Sequence, residues 1–167
     1  MSLSEQFNVG ARIKAKVALS NQSFAPTSAS VSKDVTTQDG VTIDRNESGF
    51  RRYYSCKAIV AGTWTALTSQ AVQAVSVLVQ HSSDGTSWDA YTTALSGTFG
   101  SSSTAGSTGT TGGAAYQTIE QSVNLNGARR YLRIQIPAFS FADCSSGRSL
   151  TVAGAVVFGG ADQLPAQ

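Results

Sequence analysis

Histidine, methionine, cysteine and proline are almost missing from this chain: one, one, two and three residues respectively among 167. A single histidine, His81, cannot build a metal centre with so few nearby ligands, and a nucleophilic triad would need it beside an activated Ser or Cys and an orienting carboxylate. His81 therefore reads as an ordinary strand-end residue. Cys56 and Cys144 match no CxxC metal or redox spacing, so two buried thiols are expected rather than a redox pair or a disulfide in a reducing compartment. Charge is scarce as well. Lys and Arg number 12 against 10 Asp and Glu, a net +2, and charged residues make up 13% of the chain, about half the usual share. So slight an excess argues against nucleic acid, whose phosphates demand many clustered basic side chains. The basic pairs Arg51-Arg52 and Arg129-Arg130 stand apart from any aromatic stacking ladder.

Long apolar runs are absent too. Nowhere does the chain offer the ~18 consecutive apolar residues of a membrane helix, and the N-terminus has no apolar core of signal-peptide length, so synthesis in a cytosol is expected. Helical periodicity is nearly missing, whereas alternation with period two recurs, as in half-buried strands. In Ile13 to Leu19 it places Ile13, Ala15, Val17 and Leu19 on an expected core face and Lys14 and Lys16 in water. Further strands are expected at Val41 to Asp44, Arg52 to Val60 (continued at Thr63 to Leu67 after a bend at Gly62), Ala71 to Gln80, Trp88 to Leu95, Tyr116 to Leu125, Arg130 to Ile136 and Leu150 to Phe158. Asp39-Gly40 reads as a turn, and Asp84-Gly85 and Asn126-Gly127 read as hairpins. Pro137 ends its strand because it cannot donate to a ladder.

About eight short strands without intervening helices indicate one all-β domain, an antiparallel sandwich or barrel of jelly-roll or immunoglobulin-like type. The expected organisation is an arm at 1–12, the domain at 13–158 with a polar excursion at 20–50 and a Ser/Thr/Gly loop at 96–113, and a tail at 159–167. Chemistry is hard to place on it. The Gly-rich stretch lacks GxxxxGK[ST] and a following helix, so it is no phosphate cradle. Asp84 to Asp89 lacks the Asp/Asn repeat and closing Glu of a calcium loop. Asp34, Asp39, Asp44 and Glu47 read as solvated loop carboxylates rather than a glycosidase pair. Trp64, Trp88, Tyr91 and Tyr53-Tyr54 are candidate binding aromatics, although such residues on strands are as often core. The chain reads as a non-enzyme with no cofactor and no metal.

Three segments, in order, carry a resemblance: Val77 to Trp88 with its DGxxW turn, Arg129-Arg130-Tyr131-Leu132-Arg133, and Val152 to Gly160, an apolar strand with terminal glycines. Together they resemble the decoration or cement (auxiliary head) proteins of tailed bacteriophages. The likeness covers roughly residues 70 to 162 and leaves 20–50 and 97–113 without a counterpart. It implies a structural virion protein on the outer capsid surface, made in the host bacterial cytoplasm. Its partners would be the major capsid protein and itself, as a homotrimer before a homodimer, without nucleic acid or membrane. Phe7, Arg12, Arg51, Arg52, Trp64, Trp88, Arg129 and Arg130 are the candidate capsid or oligomer contacts. The alternative is a glycan-binding sandwich of a phage tail or fibre, stacking sugars on Trp64, Trp88 and Tyr91.

Overall fold

A computed structural model describes residues 13–25, 34–46, 53–66, 73–99, 113–141 and 149–161. These form β1 (Lys14–Phe24), β2 (Asp34–Val35), β3 (Gln38–Asp39), β4 (Ile43–Asp44), β5 (Tyr53–Ala66), β6 (Gln73–Ser82), β7 (Asp89–Ala90), β8 (Leu95–Phe99), β9 (Gly113–Asn124), β10 (Tyr131–Ile136), β11 (Phe139–Ser140) and β12 (Ser149–Ala161). One large sheet has the order β1-β12-β5-β9, the other has β3-β10-β6-β7, with β4 also on β10 and β8 also on β6, and β11 pairs with β2 as a separate two-stranded sheet. Every pairing is antiparallel.

β3 and β4 lie along β10 as one broken strand, and β7 and β8 lie along β6 as another. Counted that way, eight strands are arranged 1-8-3-6 facing 2-7-4-5. First pairs with last, second with seventh, third with sixth, and fourth with fifth. This nesting is a long hairpin wound on itself into two Greek keys, a jelly roll rather than an immunoglobulin order or a closed barrel. Its tip is the Asp84-Gly85 turn between β6 and β7, where Gly85 takes φ +78 and three acceptor contacts gather on the Asp84 carboxylate.

The core lies between the sheets. Leu19, Ala58, Val60, Leu150, Val156 and Phe158 from the first meet Val75, Val77, Val79, Leu132, Ile134 and Ile136 from the second, all buried. Alternation on β6 and β10 follows the expected faces.

β1 does not follow them. Ile13 and Val17 face outward, Val17 with 66% of its surface exposed, while Ala18 and Leu19 are both buried. The register slips between Val17 and Leu19, opposite Ala155 and Gly154. That bulge puts one extra residue into the strand and flips the faces of everything before it. Lys14 and Lys16 thus lie opposite Phe158 and Val156, on the core side of an edge strand.

Other local expectations change for topological reasons. Asn126-Gly127 is no hairpin: β9 and β10 belong to opposite sheets, and the turn, closed by the Ala128 amide donating to Leu125 O at 3.0 Å, is a corner between them. Gly40 is no simple turn residue. Its amide donates to Ile134 O at 2.8 Å and the next, Val41, to Ala18 O at 2.7 Å, so this segment laces the edges of the two sheets together. The approach leaves no room for a side chain, since a Cβ on Gly40 would sit 2.1 Å from Ala18 O and 2.6 Å from Ile134 O. The excursion is therefore partly the second strand of the roll, with Ile43 in the core.

β5 continues as one strand through Gly62, with its pairing unbroken on both sides. The expected single strand at 88–95 is two short ones, and residues 96–99 of the expected Ser/Thr/Gly loop belong to β8, which ends on fully buried Phe99. β12 extends past the expected boundary at 158, and Gly160 there takes φ +68, where glycine is favoured. No helix among the described residues is long and apolar enough to cross a membrane.

Candidate functional site: a motif cluster and an arginine cleft

β10 gathers most of the distinctive side chains. Strand alternation sends Leu132, Ile134 and Ile136 into the core, which leaves Tyr131, Arg133 and Gln135 on the outer surface of the second sheet. Arg133 stacks its guanidinium 4.4 Å from the Trp88 ring centroid, a cation–π arrangement. It also donates from Nε to Gln80 Oε1 at 2.7 Å and pairs through Nη1 with Asp39 Oδ2 at 3.0 Å. Gln135 donates to the second oxygen of Asp39, and Gln80 to Gln135 Oε1 at 3.2 Å. The surface of this sheet is thus a connected polar layer with its partners built in.

The DGxxW turn and the RRYxR strand fit each other. Gly85 lies against the Tyr131 ring, Trp88 lies under Arg133, and Asp89 pairs with Arg129. Within the turn, Asp84 Oδ1 accepts the amides of Thr86 and Ser87, each at 2.8 Å, and the Ser82 hydroxyl at 2.8 Å. The two backbone amides, Ser87 first, hold its carboxyl far below the usual carboxylate range.

Next to this cluster is an open cleft of about 660 Å³ at the β9–β10 corner, lined by Arg45, Asn46, Tyr54, Asn126, Arg129 and Arg130 among others. Its arginines already have partners. Arg45 Nη1 donates to Ala128 O at 2.6 Å and Arg129 O at 3.0 Å, and Nη2 to Tyr53 O at 3.2 Å, so it braces the corner. Arg130 grips Asp44 bidentately, Nε to Oδ1 at 2.9 Å and Nη2 to Oδ2 at 2.7 Å. That grip, with the Asn46 amide second, lowers the Asp44 pKa and raises that of Arg130.

His81 packs against Tyr91 with ring centroids 4.8 Å apart and planes tilted by 38°, and accepts the Arg129 amide at Nδ1. Burial, then the nearby Arg129 charge, lowers its pKa. Burial pushes the free Cys56 thiol up to about 12, the opposite of an activated nucleophile. No group of three or more His, Cys, Asp or Glu among the described residues is placed to hold a metal ion.

Of the residues singled out from sequence, Arg129 and Arg130 meet at the cleft, Trp88 lies half-buried under Arg133, and Trp64 lies elsewhere. Trp64 is 2% exposed and stacks on Phe141 with centroids 5.9 Å apart, so it is a core ring and not a surface contact. The Tyr91 hydroxyl is spent on Asn124 O at 2.6 Å. Phe7, Arg12, Arg51, Arg52 and Cys144 lie outside the described residues. Arg45 goes unnoticed in the sequence, and Asp39 and Asp44, expected as solvated loop carboxylates, instead lie on β3 and β4 and pair with Arg133 and Arg130, contacts that span strands distant in the chain. The available signal was opposite charge on two segments, which becomes informative only once their register is known.

No family model matches the chain, and no curated protein does. Among solved structures it is similar to the PBSX exported protein XepA, at 14% identity over 92% of this chain and 39% of that one, with a TM-score of 0.43. It is also similar to the infectious bursal disease virus VP2 subviral particle, at 10% identity over 92% of this chain and 34% of that one, TM-score 0.42. A third match is the infectious bursal disease virus Gx strain structure, at 12% identity over 88% and 32%, TM-score 0.37. The chain spans less than two fifths of the length of each of these structures.

Proposed function

We propose that this chain is a structural virion protein, without enzymatic activity, that decorates a bacteriophage capsid and bridges neighbouring major capsid subunits. The observation that supports it best is the packing of the DGxxW turn against the RRYxR strand. These are the segments that resemble phage decoration proteins, and their order and spacing have a physical reason: Gly85 with Tyr131, Trp88 with Arg133 and Asp89 with Arg129 form one cluster. A cementing protein needs a rigid platform more than a reactive cleft. Here the distinctive polar side chains are spent on holding the fold together.

In this reading the protein is made in the host bacterial cytoplasm and attaches to the outer surface of the head. Several copies per assembly convert weak contacts into firm attachment through effective concentration, with a homotrimer as the arrangement the resemblance implies. The test mixes purified protein with undecorated, expanded heads and measures co-sedimentation. Saturable binding at a fixed number of copies per capsid subunit is expected. Free protein left in the supernatant at all head concentrations would overturn the reading. A glycan-binding role gains no support, because two of its three aromatics, Trp64 and Tyr91, are committed internally.

A further inference from the structure

The two outer faces of the sandwich are chemically unlike. The second sheet presents the satisfied polar layer of Gln80, Arg133, Gln135 and Asp39. The first presents a nearly uncharged surface. Register places Val17, Ala155, Ile59 and Glu120 in one row across all four strands, and Ala15, Val157, Lys57 and Ser122 in the next. Ala153, Ala61 and Thr118 form a third row, with Tyr116, 82% exposed, beyond it. Lys57 and Glu120 are the charged side chains described on this face, and they pair with each other.

From this contrast we infer that the outer face of the β1-β12-β5-β9 sheet is a self-association surface, on which the same face of a second copy packs. Three observations carry the inference. First, the β1 bulge orients an amphipathic strand with its apolar side outward, so that Ile13 and Val17, 43% and 66% exposed, forgo burial in the monomer. Second, the inward lysines, Lys14 and Lys16, sit on an edge strand, where inward-pointing charge discourages edge-to-edge pairing and leaves face-to-face packing as the route. Third, size and charge suit a copy of itself. Four strands about 4.8 Å apart and about 12 residues long cover roughly 19 Å by 40 Å, about 760 Å², close to the ~800 Å² per partner of a stable interface. A neutral face with an internal ion pair meets its own copy without net repulsion, and the alanines let two sheets approach to the usual ~10 Å.

Pairing like faces is isologous and closes as a dimer, in contrast to the trimer implied by the resemblance. The inference stands independently of capsid decoration.

The test is the solution mass of the full chain by light scattering and sedimentation across the micromolar range, for the wild type, Val17→Lys, Ile59→Lys and Thr118→Lys. Ser76→Lys, on the opposite sheet, is the control. Wild type and Ser76→Lys should show twice the 17.3 kDa chain mass, while the three face variants dissociate at concentrations at least about 100-fold higher. Circular dichroism verifies folding; Thr118→Lys, at an already exposed position, carries the test if the others unfold. A monomeric wild type, or an assembly that all folded face variants leave intact, would overturn the inference. Head co-sedimentation separates the two claims: a dimer that ignores heads sinks decoration alone, and a monomer that coats heads sinks self-association alone.

Discussion

Replacing Phe99 with Ala should be among the most damaging single substitutions in this chain, although it adjoins a low-complexity Ser/Thr/Gly stretch. Phe99 is fully buried at the end of β8. Truncating a buried Phe removes its transfer free energy and leaves a cavity, together about 3–5 kcal/mol. For a chain of this size each kcal/mol lowers Tm by about 2–4 °C, so Phe99→Ala should melt roughly 6–20 °C below wild type. A second substitution tests the packing itself. A methyl on Gly62 would lie 2.7 Å from Phe99 Cε1, 2.9 Å from Val152 Cγ1 and 3.0 Å from Thr151 O. Gly62→Ala alone should therefore cost about 1–3 kcal/mol by overpacking. With the ring gone, the shortest of those contacts is relieved, so the double variant should be less unstable than the sum by about 1 kcal/mol, while the contacts to Val152 and Thr151 keep part of the cost. Thermal and urea denaturation of the four proteins measures the cycle. A loss below 1 kcal/mol for Phe99→Ala, or strict additivity, would refute the placement of Phe99 over Gly62.

Gly40→Ala should destabilise by more than about 3 kcal/mol in urea titrations, because the atoms it meets are the backbone carbonyls of Ala18 and Ile134, which cannot rotate away. Arg133→Ala should expose Trp88, seen as a red shift in fluorescence when Trp64 is replaced by Phe in the background, and cost about 1–2 kcal/mol for the lost stacking and ion pair. Cys56 sets a limit at alkaline pH. Its folded pKa is raised from 9.0 to about 12, so the contribution of the neutral thiol is fully present below pH 9.0 and is lost as pH rises towards 12. In a Cys144→Ser background, Cys56 should resist thiol reagents until the protein unfolds, and rapid native-state labelling at pH 8 would contradict its burial. Asp84, with its pKa depressed, contributes above the unfolded value of about 3.9 and loses that contribution only as pH falls well below it. Its carboxyl resonance should stay unshifted through pH 4, and a midpoint there would refute the amide cradle.

What the sequence discloses about this fold depends on how far apart in the chain the partners are. The Asp84-Gly85 hairpin is legible because both arms flank it, and in the nested order it joins the one pair of neighbours, fourth and fifth, that are also sequential. Asn126-Gly127 carries the same kind of signal but follows the sixth strand, whose partner is the third, so the chain must turn the corner into the other sheet. The core of β6 and β10 is legible because Val75, Val77, Val79 and Leu132, Ile134, Ile136 are buried between two sheets whatever the strand order. Phe99 is not, because it is a lone apolar residue beside the Ser/Thr/Gly stretch, and Ile43 is so only in part: a short strand at Val41 to Asp44 is expected, but its alternation does not say that Ile43 is buried while Val41 is exposed. The candidate cluster was half visible: its motifs stood out as words, while the pairing of Asp39 with Arg133 and Asp44 with Arg130 required the register of β3 and β4 on β10.

β1 shows most clearly why strand periodicity stops short of function. Alternation of apolar and charged residues states that a strand has two unlike faces, but a single inserted residue decides which of them meets the core. Hydrophobic burial settles the choice only where the two candidate interiors differ, and Ala18 and Leu19 beyond the bulge give the core its side chains whichever way Ile13 to Val17 turn. Freed from that duty, the first half of the strand can serve a second interior. The cost of turning Val17 outward is the burial it forgoes, about 1.5–3 kcal/mol for a valine fully withdrawn from water. That cost is offset once another surface covers it. An apolar row of Val17, Ala155 and Ile59 in register across three strands, closed on the fourth by Glu120 in its ion pair with Lys57 and lying beside lysines that guard the edge, is thus more coherent as half of an interface than as a solvated surface.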